Sequence, residues 1–358
     1  MRPEVPCGAV LQGAVSGGLA GATMLAAALL AAPPPAHAVV DGPGDYKGDY
    51  NSPDYVTRSY SLEARVGQET DLLARAQHPP LGLPELPVPE GNPLTREKIQ
   101  LGRKLFFDRR LSLNGTQSCA MCHIPEQGFT NNELATAVGL EGRDVGRNSP
   151  TLYNVGYKER LFHDARESTL EQQAWQPMVN PVEMANPSIG WVIAKLRGLE
   201  DYDGLFEAAF GDRGVTMNTV ADALASYQRT LLVANSPFDR WYYGDEEDAL
   251  DAAAKRGFEI FTGRGHCNSC HVIGEDHALF TDNAVHNTGT GYTRAMAAEP
   301  GLRRVVLAPG IFGEVSPENL AVVSARGADN DLGRYEVTGD VDKRWHYKPP
   351  PLRTLALT

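Results

Sequence analysis

The chain has 358 residues, 42% hydrophobic and 22% charged, with a formal net charge of -12. These proportions belong to a globular protein long enough for two domains or one large one. The acidic balance excludes nucleic acid as a partner, because phosphate binding needs basic patches, and leaves room for a basic electron-transfer partner.

Residues 1–38 read as a secretory signal. Arg2 gives a positive start, Ala14 to Ala32 is uncharged and mostly apolar, and Ala36-His37-Ala38 supplies a small-x-small cleavage pattern. An uncleaved membrane anchor is the alternative, since the apolar run is nearly long enough to span. The Gly/Ala-rich run and its ending in Pro33-Pro34-Pro35 favour cleavage. Either reading places the working part outside the cytoplasm, and the periplasm is the expected location. Residues 39–92 are polar and rich in Pro, Gly, Asp and Tyr, which predicts a flexible leader with order beginning near Asn92-Pro93.

Thr95 to Phe107 carries Ile99, Leu105 and Phe106 on a helical period, with Gly102 at the packed turn and Asp108 at the end. Pro150 and Pro181 then interrupt a stretch of loops and short helices, with helix expected over Thr169–Ala174 and Ile193–Leu199. Asn218 is a candidate N-cap for a helix through Leu232, with Val220, Leu224, Tyr227 and Leu231 on one face. Leu250 to Phe261 reads as another helix. Long β-branched alternation is absent.

Cys7 lies in the signal, which leaves Cys119, Cys122, Cys267 and Cys270. Four cysteines in an exported chain invite a disulfide framework. Their arrangement argues otherwise: Cys119-Ala120-Met121-Cys122-His123 and Cys267-Asn268-Ser269-Cys270-His271 are two C-x-x-C-H motifs. That spacing attaches c-type haem, because two thiols one turn apart add to the two vinyl groups and the adjacent histidine binds the iron. A four-cysteine zinc site normally has a shorter gap between its pairs, and neither zinc nor disulfides account for both histidines. Arg103-Lys104-Leu105-Phe106-Phe107 before the first motif and Arg256-Gly257-Phe258-Glu259-Ile260-Phe261 before the second form a weak internal duplication. The expected fold is mainly α, with two cytochrome c-like haem domains, 93–245 and 246–358, divided near Gly244-Asp245-Glu246-Glu247.

Leu101 to Asp108, Gly115-Thr116, the first haem motif and Gly128-Phe129-Thr130 resemble the first haem region of the bacterial di-haem cytochrome c peroxidases, which include the MauG-like enzymes. The resemblance continues through Arg147 to Thr151, Asp164-Ala165-Arg166, Leu170 to Gln173, Asn180 to Met184, the second haem motif, His286 to Gly289, and Pro350-Pro351-Leu352-Arg353 to Leu357-Thr358. It implies a peroxide-reacting haem on His123 and an electron-transfer haem on His271. It implies that Glu183 is the distal acid–base, with Gln173 and Pro177 beside it in the pocket. It also implies a calcium ion between the domains, with Asn148 giving a side-chain ligand and Thr358 a backbone oxygen; oxygen ligands suit that ion. A carboxylate above the iron moves a proton from the inner to the outer peroxide oxygen, and such a pocket favours a raised carboxyl pKa.

The sequence departs from the family at three places. No histidine occurs from Ile124 to Phe162, where many relatives place a displaceable ligand, so the first haem is expected to keep an open sixth position, with Met178 or Met184 as the side chains that could intrude. Phe162-His163-Asp164 stands where the family usually has Phe-Trp-Asp. The family runs on beyond Leu357-Thr358, so the second domain is expected to be truncated and to lack its far-side haem ligand; Met296, Tyr335 and His346 are the substitutes weighed. The function these readings favour is reduction of hydrogen peroxide with electrons from a small cytochrome c or copper protein. The rivals are peroxide-driven oxidation of a partner protein, and a non-enzymatic di-haem electron carrier or redox sensor. A homodimer is compatible with the resemblance.

Overall fold

The computed structural model describes residues 70–296, 303–308, 311–316 and 331–357. The expected signal, most of the leader and Thr358 lie outside the described residues. Order begins earlier than Asn92. Helix α1, Leu72–Gln77, is capped by Asp71, and Ala76, Leu83 and Leu86 pack with Tyr157 and Leu232. The polar composition of this segment hid three apolar side chains that are spaced to reach a neighbouring surface.

The core sits in the first half. Helix α2, Arg96–Phe107, starts where Thr95 accepts a hydrogen bond from the Lys98 amide, and buries Ile99, Leu101, Leu105 and Phe106. Short helices follow: α3 (Cys119–Cys122), α4 (Leu170–Gln173), α5 (Trp175–Val179), α6 (Ile189–Arg197) and α7 (Leu205–Phe210). Helix α8, Met217–Arg229, begins two residues earlier than expected: Thr216, not Asn218, is the N-cap, in a reciprocal capping box with Thr219. Asn218 was a plausible cap by residue type, but the paired hydroxyls satisfy two amides at once.

Helices α2 and α8 cross closely at Gly102, where an added Cβ would lie 1.9 Å from the Ala223 carbonyl oxygen. The expected face of α8 is buried throughout, with Val220, Leu224, Tyr227 and the following Leu231 all in the core. Full burial of a side chain such as Leu105 or Phe106 contributes about 1.5–3 kcal/mol.

Helix α9, Pro237–Tyr243, leads across the acidic segment to α10, Ala252–Thr262, and the second motif. Helix α11, Thr290–Met296, precedes an antiparallel pair, β1 (Arg303–Ala308) and β2 (Ile311–Val315), that the sequence reading did not anticipate. Helix α12, Tyr335–Thr338, completes the described elements. The molecule is thus mainly helical, as expected. A buried ion pair ties the segment near Arg353 to α9: Arg353 donates to both carboxylate oxygens of Asp239 at 2.8 Å and also to the carbonyls of Gly82 and Ala278.

Candidate active site

The first motif occupies one helical turn. Cys119 and Cys122 are its ends, and neither is in a disulfide. Burial pushes Cys119 up to about 12, helped by the neighbouring Cys122 and Glu183, and pushes Cys122 up to about 11, so both stay protonated. The chain after His123 folds back on itself. Phe129 takes a left-handed conformation, φ 56°, its amide donates to the Ile124 carbonyl, and Ile124 pairs with Thr130. This turn presents the Phe129 carbonyl to His123, whose Nδ1 donates to it at 3.0 Å. The tautomer is thereby set, leaving Nε2 as the lone-pair nitrogen. Burial and the Lys158 charge lower His123 to about 4, so the imidazole is neutral, as a metal ligand must be.

Cys119, Cys122 and His123 share one cleft with Gln173, Pro177 and Glu183. The family resemblance assigned these residues from positions far apart in the chain, and the structure brings all six together. Gln173 ends α4 and Pro177 lies within α5, with Ala174 between the two helices. Glu183 is held from two sides. Its carbonyl accepts from the Leu140 amide at 2.9 Å, and its Oε1 accepts from Asn180 Nδ2 at 2.6 Å. Only glycine fits at position 139, since a Cβ there would lie 1.9 Å from the Val182 carbonyl oxygen. Burial raises the Glu183 pKa, opposed by Arg166 and by the Asn180 hydrogen bond.

Sequence reasoning missed Gln117. It also lines the cleft, its Nε2 donates to the Gly139 carbonyl, and its buried Oε1 has no hydrogen-bond partner among the described residues. A C-x-x-C-H motif gives no hint that the residue two positions before it braces the loop behind Glu183. Two thiols, a neutral imidazole with a committed tautomer, and a largely apolar lining that includes Phe106, Leu152 and Leu224 fit a c-type haem. Among the described residues His123 is the only histidine lining the cleft; of the two candidate methionines, Met184 lines it and Met178 is buried in the core.

The second motif repeats the arrangement. Cys267–Ser269 form a 3-10 turn, Phe280 takes φ 53°, and His271 Nδ1 donates to the Phe280 carbonyl at 2.9 Å. Both motifs thus fix their histidine through a left-handed phenylalanine downstream. Phe258 and Phe261 of α10 are only partly buried, and Phe238 packs between Phe258 and Phe280 at ring-centroid distances of 5.8 and 5.3 Å. This aromatic half-shell, with the same donor set, fits a second c-type haem. Cys270, one of the two cysteines of this motif, also lies with its sulfur within 4.8 Å of Asp282 and His286 ligand atoms.

His163 is exposed and stacks on Tyr347 with 4.8 Å between ring centroids. Trp175 is a core residue whose indole nitrogen donates to the Met217 carbonyl. Asn148 stands apart from the cleft. Its Nδ2 donates to the Asn131 carbonyl at 2.7 Å, and the next residue of that loop, Asn132, donates to the Leu357 carbonyl at 3.0 Å. Asn148 and the residue before Thr358 therefore meet one loop.

The model of the di-haem cytochrome c peroxidase family matches residues 96–247. Over 286 residues the chain is 33% identical to the cytochrome-c peroxidase IdrP1 of Denitromonas iodatirespirans, covering 79% of this chain and 73% of that one. The chain belongs to the di-haem cytochrome c peroxidase family. Within the family it is also 42% identical over 205 residues to the methylamine utilization protein MauG of Methylorubrum extorquens, covering 57% of this chain and 56% of that one. The chain spans 56% and 59% of the lengths of the two MauG proteins it matches first. A solved MauG-like protein associated with microbial copper homeostasis superposes with a TM-score of 0.60 at 28% identity, covering 78% of this chain and 75% of that one. No helix among the described residues is long and apolar enough to cross a membrane.

Proposed function

We propose that this family member is an exported di-haem peroxidase that reduces hydrogen peroxide to water with electrons from a small cytochrome c or copper protein. The observation that carries the reading is Glu183 in the same cleft as Cys119, Cys122 and His123, beside Gln173 and Pro177. Haem, when bound, supplies the iron at which the O–O bond breaks and a path for the two electrons. Glu183 supplies the proton chemistry. With Oε1 engaged by Asn180, Oε2 takes the proton from one peroxide oxygen and delivers it to the other. The balance is one hydrogen peroxide, two electrons and two protons to two waters. Gln173 and Pro177 shape the space beside the carboxylate, and the apolar lining limits water.

On this reading 93–245 is a peroxidatic haem domain and 246–358 an electron-transfer haem domain. A calcium ion held by Asn148 and Thr358 would bridge them near the loop that meets both Asn148 and Leu357. The export reading rests on residues 1–38 and implies a periplasmic enzyme.

A second reading, MauG-like oxidation of a partner protein, is favoured by the cleft lining, which offers no second histidine among the described residues. His163, in place of the tryptophan that such enzymes use between their haems, counts against it. The test is to add hydrogen peroxide to the ferric, haem-loaded protein without prior reduction and follow the absorbance. A rapid change that is lost in Glu183→Gln is expected. Reaction only after one-electron reduction would show that a ligand caps the first haem. Inertness in both states would leave an electron carrier.

A further inference from the structure

We propose that Gln117 serves the peroxide reaction with both ends of its side-chain amide: Nε2 holds the backbone that carries Glu183, and Oε1 accepts a hydrogen bond from the peroxide molecule. The inference rests on the peroxidase reading above and adds a residue to it. Gln117 lies two positions before Cys119, and its own backbone is fixed, because its amide N–H donates to Ser112 Oγ at 2.9 Å. Its Nε2 donates to the Gly139 carbonyl at 3.0 Å. Leu140, the next residue, donates its amide to the carbonyls of Val182 and Glu183 at 3.0 and 2.9 Å. From the same segment as Gln117, Leu113 donates its amide to the Met184 carbonyl at 2.9 Å. The chain just before the haem motif therefore grips the backbone at Glu183 twice, directly at Met184 and through Gln117 at Gly139.

The bond to Gly139 also fixes which way the amide faces, since the reversed amide would set its oxygen against the Gly139 carbonyl. Oε1 is thereby committed to the opposite side, where it is buried and has no hydrogen-bond partner among the described residues. A buried amide oxygen is costly unless a donor reaches it. Gln117 and Glu183 line the same cleft, and none of the other side chains lining it donates to Oε1. Hydrogen peroxide brings the missing donor. It has two O–H groups, so one hydrogen meets the Glu183 carboxylate while the other meets Gln117 Oε1. Glu183 exchanges the proton; Gln117 makes and breaks no covalent bond and orients the molecule for that exchange.

The haem-loaded protein is used throughout, with haem content assayed first. Failure of the wild type to react with hydrogen peroxide would refute the peroxidase reading, and the substrate contact with it. The infrared carboxyl stretch of Glu183, identified by its loss in Glu183→Gln, decides the positioning role without turnover. Gln117→Met keeps the length of the side chain and removes both hydrogen-bonding ends. It is expected to shift that stretch and to lower the second-order rate constant for peroxide about tenfold, the loss of roughly one hydrogen bond to the substrate. Gln117→Glu adds a test by pH. When protonated, the introduced carboxyl group donates to Gly139 and offers a carbonyl oxygen, as the amide does; when ionised it has no hydrogen to donate. Its rate relative to wild type is therefore expected to rise as pH falls, a dependence that a packing role would not produce. An unchanged stretch or an unchanged rate constant in Gln117→Met at full loading would overturn the proposal, as would a constant ratio for Gln117→Glu across pH. Where Gln117→Met does not take up haem, Gln117→Glu alone decides, and failure of both to load shows a packing role and overturns it.

Discussion

On the proposed reading Glu183 is the acid–base of the cleft, and its surroundings set opposing demands. Burial favours the neutral acid, while Arg166 and Asn180 favour the carboxylate, and burial prevails. A carboxyl group whose folded pKa is raised destabilises the fold once pH exceeds the unfolded value, because the unfolded chain ionises first. Glu183→Gln should therefore raise the melting temperature at pH 7, with the gain shrinking to nothing as pH falls below the unfolded carboxyl pKa. Thermal melts at several pH values measure this. Removing the Asn180 donor withdraws support from the charged form. Asn180→Ala should thus move the acid limb of the peroxide reaction to higher pH, read from rates across a pH series.

At the scale of elements, the site depends on close approaches that only small residues allow. Gly102 sets the spacing of α2 and α8, two helices whose Phe106 and Leu224 line the haem cleft. Gly102→Ala puts a methyl group against backbone that cannot yield cheaply. A loss of about 1–3 kcal/mol is expected in denaturant unfolding, together with reduced haem loading. The two left-handed phenylalanines make a parallel point. The spacing from motif to phenylalanine differs, His123 to Phe129 against His271 to Phe280, yet each turn ends with a carbonyl on Nδ1. Sequence duplication registers the motif but not a backbone acceptor supplied after loops of unequal length.

For the whole molecule, the Arg353–Asp239 pair joins the C-terminal segment to α9, and Arg353 also reaches Gly82 and Ala278. Both side chains are buried, so deleting one leaves the other charge without compensation. Arg353→Met should cost about 3–5 kcal/mol of unfolding free energy, more than Arg353→Met combined with Asp239→Asn. Gly82 belongs to the same joint, with φ 89° and an added Cβ that would sit 1.9 Å from Asp239 Oδ1.

The sequence by itself determined the haem attachment chemistry, the mainly helical character and the apolar faces of α2 and α8. Those follow from local rules: covalent spacing of thiols and histidine, and a helical period that selects which side chains are buried together. Resemblance also marked Glu183, Gln173 and Pro177, which no local rule singles out from other residues of their kind. Only the tertiary structure placed these three in one cleft with Cys119, Cys122 and His123 and found Gln117 bracing the loop behind Glu183. It also showed packed structure at α1, ahead of Asn92, whose few apolar residues gain stability only against a surface formed far away in the chain. Desolvation and distant charge decide each of these features, and both depend on what the fold brings near rather than on the order of residues along the chain.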